Sequence, residues 1–128
     1  MSLHVELVAA DRLVWSGEAD RVIARTAEGD IGVLTGHAPL LGLLVEGVVD
    51  VQTTDGETWV AAVDSGFLSV ANDRVSILSE TAEMAHDIDL SKARQDLERA
   101  HEAGEGDDEA RTEVRRLEAR VRAAERSS

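Results

Sequence analysis

The sequence predicts an N-terminal antiparallel β-sandwich or flattened barrel over residues 1–85, followed by an antiparallel two-helix hairpin over residues 86–128. Short apolar segments before residue 86 are separated by glycine and Asx turns at roughly 8–12 residue spacing, which is typical of antiparallel sheets. After residue 86 the apolar positions recur at steps of three and four, as on one face of a helix. Fifteen valines and only three aromatic residues suit half-buried, pleated strands.

The strands are predicted from period-two alternation and from the turns that separate them. Six strands are predicted, at residues 3–8, 21–26, 47–53, 57–63, 67–70 and 75–78. The dipeptide Asp55-Gly56 lies between two of them and is a strong hairpin signal. Asn72-Asp73 marks a second hairpin.

Two helices are predicted after the last strand. Asp87 or Asp89 can cap a first helix that runs from Leu90 to Ala103, and a glycine-rich break at 104–108 follows. The apolar stripes of the two helices comprise Leu90, Ala93, Leu97 and Ala100, and Ala110, Val114, Leu117, Val121 and Ala124. Stripes this narrow leave isolated helices marginal, so we expect the hairpin to lean on the sandwich or on a partner.

Charge and composition exclude several classes of function. The chain carries 26 acidic against 13 basic residues, for a formal net charge of −13, which is unsuited to nucleic acid and to anionic lipid. It has no cysteine, so a disulfide framework and a thiolate metal site are excluded. No apolar run reaches about 18 residues and the first residues carry no basic stretch, so we expect a cytosolic chain without a membrane span or secretory signal.

The sequence shows no arrangement of residues that supports catalysis or metal binding. The four histidines, His4, His37, His86 and His101, lie at no metal-binding spacing. A GxSxG elbow and a GxxxxGK[ST] phosphate loop are both absent from the sequence. We therefore expect a protein that is not an enzyme and that holds no metal and no tightly bound cofactor.

The segment from Glu28 to Leu41 is unusual, because three glycines and the only proline are interleaved with apolar residues. This pattern predicts a strand that bulges and turns sharply, where the shape of the backbone matters most. We expect the His37 ring to bond a neighbouring carbonyl and so to fix the turn. The alternative is a small hydrolase in which His37 is catalytic.

Two blocks of the sequence resemble the epsilon subunit of bacterial F-type ATP synthases. Residues 29–41, Gly-Asp-Ile-Gly-Val-Leu-Thr-Gly-His-Ala-Pro-Leu-Leu, match the family's best-marked segment, and residues 64–78 are similar to its later glycine-to-strand segment. The chain length and the order of sandwich and helical hairpin match as well. The departure is Thr35, where many members carry proline, a change that loosens the turn without altering the assignment.

The resemblance implies a non-catalytic rotor subunit of the central stalk in a proton-translocating ATP synthase, coupling the catalytic head to the c-ring. The implied partners are the gamma subunit and the c-ring, and the complex would lie peripherally on the cytoplasmic side of the cell membrane. In this family the hairpin extends along gamma and inserts beside the alpha and beta catalytic subunits, which inhibits ATP hydrolysis. Contact with nucleic acid and direct lipid insertion are not implied.

The resemblance also assigns contact residues. The turn that holds Glu28 and Asp30 would face basic side chains of the c-ring, and Gly36, His37 and Pro39 complete the implied c-ring and gamma interface. A rim ion pair of this kind contributes about 0.5–1 kcal/mol and mainly fixes orientation. An ordinary solvated turn is the alternative for the two carboxylates.

Some members of the family bind ATP through a motif of the form Ile/Leu-Asp-x-x-Arg-Ala, and residues 88–93 match it except that Lys92 replaces arginine. Glu83 and Arg99 fall where such sites draw further contacts. Lysine lacks the planar guanidinium that holds phosphate with two bonds, so we expect ATP binding weakened by roughly 1.5–3 kcal/mol. The residues favour the alternative role of Asp89, a helix N-cap.

The second helix carries the cationic patch of the sequence, and its expected regulatory residues are Arg111, Arg115, Arg116, Arg120 and Arg122. Two interpretations stay open: a solvated face tied by pairs with Glu113 and Glu118, or a surface that binds a partner. A function of another class is a free-standing ATP-sensing module in which the hairpin folds over the nucleotide. Titration of the isolated chain with ATP distinguishes that module from a rotor subunit.

Overall fold

The computed structural model describes residues 2–104 and 106–127. Its elements are β1 (Leu3–Ala9), β2 (Arg12–Thr26), β3 (Gly29–Leu34), β4 (Leu40–Leu44), β5 (Gly47–Thr53), β6 (Thr58–Val63), β7 (Gly66–Ala71), β8 (Arg74–Ser79), β9 (Ala82–Met84), a short 3₁₀ turn (Ala85–Asp87), α1 (Leu90–Ala103) and α2 (Asp108–Ser127). The predicted fold class, a β-sandwich followed by two helices, is confirmed.

The strands form a flattened barrel that closes on itself. They are hydrogen-bonded in the order β1-β8-β7-β4-β2-β5-β6-β9, with β3 paired to β2 and with a further pairing of β1 to β2. Strand β2 has 15 residues, and this length lets its first half pair with β1 while its second half pairs with β3 and β5. The expectation of a wholly antiparallel sheet is wrong at one place, because β1 and β8 run parallel.

Both predicted hairpins are present, and their turns have the expected backbone. Gly56 has a φ of 88° between β5 and β6, while Asn72 and Asp73 have φ values of 52° and 62° between β7 and β8. Positive φ at both central residues twists a two-residue turn in the sense that matches the twist of its strands. The Asn72-Asp73 turn therefore fixes the register of β7 on β8.

The main core lies between the two layers of the sandwich and is built from small branched side chains. Leu3, Leu68 and Ile77 are fully buried there, together with a majority of the valines of the strands. Trp15 and Trp59 are only partly buried and pack against the margin of this core. The valine-rich composition thus has the role that the sequence predicts.

The hairpin packs on the outer face of β5 and β6, which confirms that it leans on the sandwich. Strand β6 is buried on both faces, so its Val60 and Ala62 form a second apolar cluster with Ile88 and the helices. The buried stripe on α2 includes the predicted Val114, Leu117 and Ala124. It is wider than predicted, because Ala119 and Ala123 are also fully buried, whereas Val121 is only partly buried. Small side chains at the contact let the helix lie close to the sheet.

Candidate functional site

An apolar row crosses the outer face of the sheet formed by β4, β7 and β8. Leu43 is paired with Phe67, and Phe67 with Leu78, so the three side chains lie side by side. They are 58%, 49% and 46% exposed, and Leu41, two residues before Leu43, is 71% exposed. An open cavity of about 620 Å³ is lined by residues of this row. We name Leu41, Leu43, Phe67 and Leu78 the apolar face, a contiguous patch of the kind that marks an interaction site.

The sequence places these side chains outside because β4 is apolar on both of its faces. In Leu40–Leu44 the residues at 40 and 44 face the core while Leu41 and Leu43 point outward. A strand can bury both faces only when a second layer covers it, and in this chain the hairpin covers β5 and β6 instead. This face was not predicted from the sequence, although the run Leu-Leu-Gly-Leu-Leu indicates a strand that is apolar on both faces.

The turn between β2 and β3 adjoins one end of the apolar face. Glu28 and Asp30 are exposed there, as expected for a contact turn. The Thr26 hydroxyl donates to the Gly29 carbonyl at 2.8 Å and accepts from the Glu28 amide at 3.2 Å, and this fixes the turn. The Ala27 amide donates to the Leu43 carbonyl at 3.0 Å, so the turn is joined directly to the apolar row.

Gly36, His37 and Pro39 lie at the opposite end of β3. Gly36 has a φ of 83° and its amide donates to the Asp73 carboxylate at 2.7 Å. The His37 Nδ1 lies 2.7 Å from the Ala38 carbonyl oxygen, which confirms that this ring fixes the turn. At about 3.3 Å per residue, the six residues of β3 keep this group roughly 20 Å from the Glu28 turn. The five expected interface residues therefore form two groups.

Three of the four residues expected to bind ATP hold other partners with their side chains, whereas the Lys92 side chain is exposed. The Asp89 carboxylate accepts from the Lys92 amide at 3.1 Å, which confirms the N-cap role. Glu83 accepts from the Arg120 guanidinium at 2.7 and 3.3 Å, and Arg99 donates to Asp96 at 2.6 Å. Because Arg120 also lies 3.9 Å from Asp96, carboxylates already neutralise the cations nearest to Glu83. The residues present do not fit a ready phosphate site.

The arginines of α2 contact the sandwich, an arrangement that neither interpretation of the sequence included. The contacts from helix to sandwich are Arg115 to Glu46 at 3.7 Å, Arg116 to Asp64 at 3.7 Å, Arg120 to Glu83 at 2.7 Å, and Arg126 to Asp50. Arg111 pairs with Asp108 on its own helix at 2.8 Å, and Arg122 is exposed. The expected pair of Arg116 with Glu113 is also present.

A polar cluster at the start of β1 has shifted titration behaviour. His4 Nδ1 lies 2.8 Å from a Glu18 carboxylate oxygen, and the Ser2 hydroxyl donates to the other oxygen at 2.6 Å. The bond to Glu18 raises the pKa of His4 above its ordinary value. The Ser2 and His4 bonds lower the pKa of Glu18. This cluster is exposed and serves to pin β1 to β2.

Comparisons with known proteins agree with the sequence resemblance. Residues 2–85 match the family model described as the beta-sandwich domain of the ATP synthase delta/epsilon chain. An ATP synthase epsilon chain of Streptomyces avermitilis is 58% identical over 113 residues, which are 88% of this chain and 91% of the relative. One of Corynebacterium efficiens is 49% identical over 127 residues, 98% and 95% of the two chains. The chain belongs to the ATP synthase epsilon-chain family.

Two solved structures share the fold of this epsilon chain. A chain of the Euglena gracilis mitochondrial ATP synthase aligns with a TM-score of 0.75 at 24% identity, over 97% of this chain and 78% of that one. A chain of the Tetrahymena thermophila central stalk and c-ring aligns with a TM-score of 0.60 at 14% identity, over 99% and 96%. At sequence identities this low, the similarity shows a shared fold.

Epsilon chains are non-catalytic subunits of the ATP synthase complex, so the expectation that the protein is not an enzyme is confirmed. The hydrolase alternative for His37 is set aside, since this ring bonds its own turn. Within residues 2–104 and 106–127, no group of three His, Asp or Glu side chains is placed to hold a metal ion. In the same ranges, neither helix has the length and apolarity needed to cross a membrane.

Proposed function

We propose that this epsilon chain is a rotor subunit of the central stalk of a proton-translocating ATP synthase, where it couples the catalytic head to the c-ring. Relatives named ATP synthase epsilon chain support the proposal at 58% and 49% identity. The observation that carries it on this chain is the apolar face, a large exposed patch on a sandwich without a catalytic constellation. As part of that complex the chain lies peripherally on the cytoplasmic side of the cell membrane.

The gamma subunit is the proposed partner of the apolar face. Burying exposed apolar side chains yields about 25 cal/mol per Å² of surface removed from water, and aromatic anchors are prominent among the residues that dominate interface energies. Phe67 lies at the centre of the row, between Leu43 and Leu78. We therefore assign Phe67 as the anchor of the gamma contact, with the turn around Gly36, His37 and Pro39 at the margin.

The c-ring is the proposed partner of the turn around Glu28 and Asp30. Both carboxylates are exposed, and the turn that carries them is fixed by the Thr26 hydroxyl. A preordered turn loses little conformational entropy when it meets basic side chains. Since the turn adjoins the apolar face at Ala27 and Leu43, one chain can contact both partners at once.

Titration of the full chain with purified gamma tests this assignment. Phe67→Ser should weaken binding about tenfold or more, as expected when a central apolar anchor is removed. Leu97→Ser is the control, because Leu97 is partly buried and lies on α1, in the hairpin that packs on β5 and β6 and not on the apolar face. Equal affinities of the two variants, with both folded by circular dichroism, would show that gamma binds elsewhere.

Regulation of ATP hydrolysis is the second part of the proposal. In the extended state α2 would contact the alpha and beta catalytic subunits through its arginines. Deletion of residues 107–128 should then raise ATP hydrolysis by the assembled enzyme and leave ATP synthesis and assembly intact. If hydrolysis is unchanged at every ATP concentration, the hairpin is a structural brace.

ATP sensing has weaker support as a function of this chain. Lys92 stands where the motif has arginine, and Arg120 is held by Glu83 and Asp96. ATP would have to displace these carboxylates before its phosphates reached the guanidinium. Isothermal titration of the isolated chain with ATP should show at most weak binding, and a tight site would contradict this account.

A further inference from the structure

We propose that a set of arginine–carboxylate pairs acts as a charge latch, which holds the hairpin on the sandwich and partly neutralises the cationic face of α2. The charge latch consists of Arg115 with Glu46, Arg116 with Asp64, Arg120 with Glu83 and Arg126 with Asp50. In every pair the arginine belongs to α2 and the carboxylate to the sandwich.

The spacing of the arginines along α2 matches the spacing of the carboxylates along the sheet. Glu46 and Asp64 flank the same end of the β5–β6 pair, because Gly47 is paired with Val63. Asp50 lies four residues along from Glu46, about 13 Å in a strand. Arg116 and Arg126 are ten residues apart, about 15 Å in a helix. The two rows of charge are therefore in register over the length of the docked helix.

Three of the four latch carboxylates are largely covered in the docked state, whereas Glu83 is 40% exposed. The side chains of Glu46, Asp64 and Asp50 are only 11%, 10% and 14% exposed. Carboxylates are rarely buried to this extent without a charged partner. If the guanidinium of a pair is removed while the helix stays docked, the carboxylate is left covered and unpaired. The free energy of docking therefore depends more strongly on these arginines than it would on ion pairs at a solvated rim.

Small side chains make up much of the apolar contact beneath the latch. Ala93, Ala123 and Ala124 pack against Val60 and Ala62 of β6, with Leu90 and Val121 half-buried beside them. Val114 and Leu117 of α2 are also buried. Alanine contributes one methyl group, so its contacts bury little apolar surface, and the charge latch adds to this packing in the balance between the docked and released hairpin.

The latch also determines when α2 can bind an acidic partner. The Arg120 side chain is only 24% exposed and is held by Glu83. The other three arginines lie beside their carboxylates at 40–54% exposure. Contact with the sandwich therefore competes with binding to acidic side chains elsewhere. The charge latch deepens the regulatory part of the proposed function. Only its effect on ATP hydrolysis in the assembled enzyme rests on that proposed function. The docking itself is a property of the isolated chain and is tested there.

Hydrogen exchange on the isolated full chain measures how firmly the latch holds the hairpin. The protection of the α2 amides reports the ratio of docked to released hairpin. Arg126→Gln should lower the protection of the α2 segment about tenfold, because Asp50 is left covered and unpaired. Asp50→Asn, which removes that buried charge, should lower protection by about two- to fivefold. The double variant should lose less than the product of the two single losses.

Arg122→Gln and Arg111→Gln are the matched controls. They remove the same charge from the same helix at similar helix propensity, but Arg111 pairs within α2, and Arg122, which is exposed like Arg126, forms no ion pair with the sandwich within the part of the chain that the structure describes. Both should leave α2 protection within about twofold of the wild-type value. Raising the salt from about 0.05 M to 0.5 M should lower α2 protection and leave the β7 amides unchanged.

Equal protection in Arg126→Gln and Arg122→Gln, or losses in the double variant that multiply without coupling, would overturn the latch. That failure is distinct from failure of the proposed function, which is decided by binding of gamma to the apolar face. A latch that holds in the isolated chain while gamma does not bind Phe67 would leave the latch standing and the proposed function wrong.

Discussion

Gly66 begins β7 directly against the backbone of β8, and Gly66→Ala should damage the sandwich. A Cβ on this residue would lie 1.8 Å from the Leu78 carbonyl oxygen and 2.9 Å from the Ser79 Cα. These atoms belong to a strand that is paired with β7 on one side and with β1 on the other. They cannot move away without breaking ladder hydrogen bonds, so the strain falls on the sheet.

The loss of stability can be estimated from this contact. Overpacking at a rigid site costs about 1–3 kcal/mol, and a broken ladder hydrogen bond adds about 1 kcal/mol. Alanine recovers about 0.5–1 kcal/mol relative to glycine within a strand. We therefore expect the free energy of unfolding to fall by about 2 kcal/mol, which for a chain of this size lowers Tm by about 8 °C.

Thermal unfolding followed by circular dichroism measures the effect. Gly32→Ala is the matched control, because a Cβ there meets nothing within 4 Å and the residue also lies in a strand. The control should unfold within about 2 °C of the wild-type protein or slightly above it. If Gly66→Ala unfolds at the temperature of the control, the packing argument for β7 and β8 is refuted.

Three further predictions concern the turn, the first helix and the β1 cluster. Gly36→Val should lower Tm by about 5 °C, because φ at Gly36 is 83° and a left-handed backbone costs a branched residue about 1–2 kcal/mol; an unchanged Tm would contradict this. Asp89→Ala should lower α1 stability by about 1 kcal/mol, measured by hydrogen exchange, whereas Asp89→Asn keeps the cap; equal losses would exclude the N-cap role. His4→Gln should lower Tm at pH 5.5 and have little effect at pH 8.5. Because the pKa of His4 is raised in the folded protein, protonated His4 stabilises the fold at pH values below the ordinary pKa of 6.5. This contribution is lost as the pH rises through the folded-state pKa. Because the pKa of Glu18 is lowered, its carboxylate is charged at pH values above the ordinary pKa of 4.5. The pair therefore stabilises the fold most between pH 4.5 and pH 6.5. A constant difference in Tm across this pH range would rule out the His4–Glu18 pair.

The parts of the fold that local signals determine were predictable from the sequence. The first helix runs from Leu90 to Ala103 as predicted, because its cap and its period lie within a few residues of each other. The predicted span 47–53 matches β5, since the Asp55-Gly56 turn fixes its end. The first half of β2 and the three-residue β9 were missed. Strand β9 is held by pairing with β6, about twenty residues earlier in the chain, which local periodicity does not show. The first half of β2 follows β1 directly in a hairpin, but most of its residues are exposed or half-buried, so its apolar alternation is weak.

The candidate site was predictable only in part, for the same reason. The His37 bond to the Ala38 carbonyl is a contact between neighbours, and the sequence predicts it. The contact of Arg126 with Asp50 spans 76 positions, so no spacing in the sequence indicates it. The apolar face arises because β4, β7 and β8 are adjacent in the sheet, although they are separated along the chain.

Hydroxyl-radical footprinting of the full chain, alone and with gamma bound, tests the central claim most directly. The method reports the exposure of individual side chains, so the apolar face can be compared with the hairpin side of the same molecule. The account predicts that Leu41, Leu43 and Phe67, all exposed in the free chain, become protected by gamma while the exposed His86 keeps its reactivity. Protection of His86 and of α2, with Phe67 unchanged, would contradict the account.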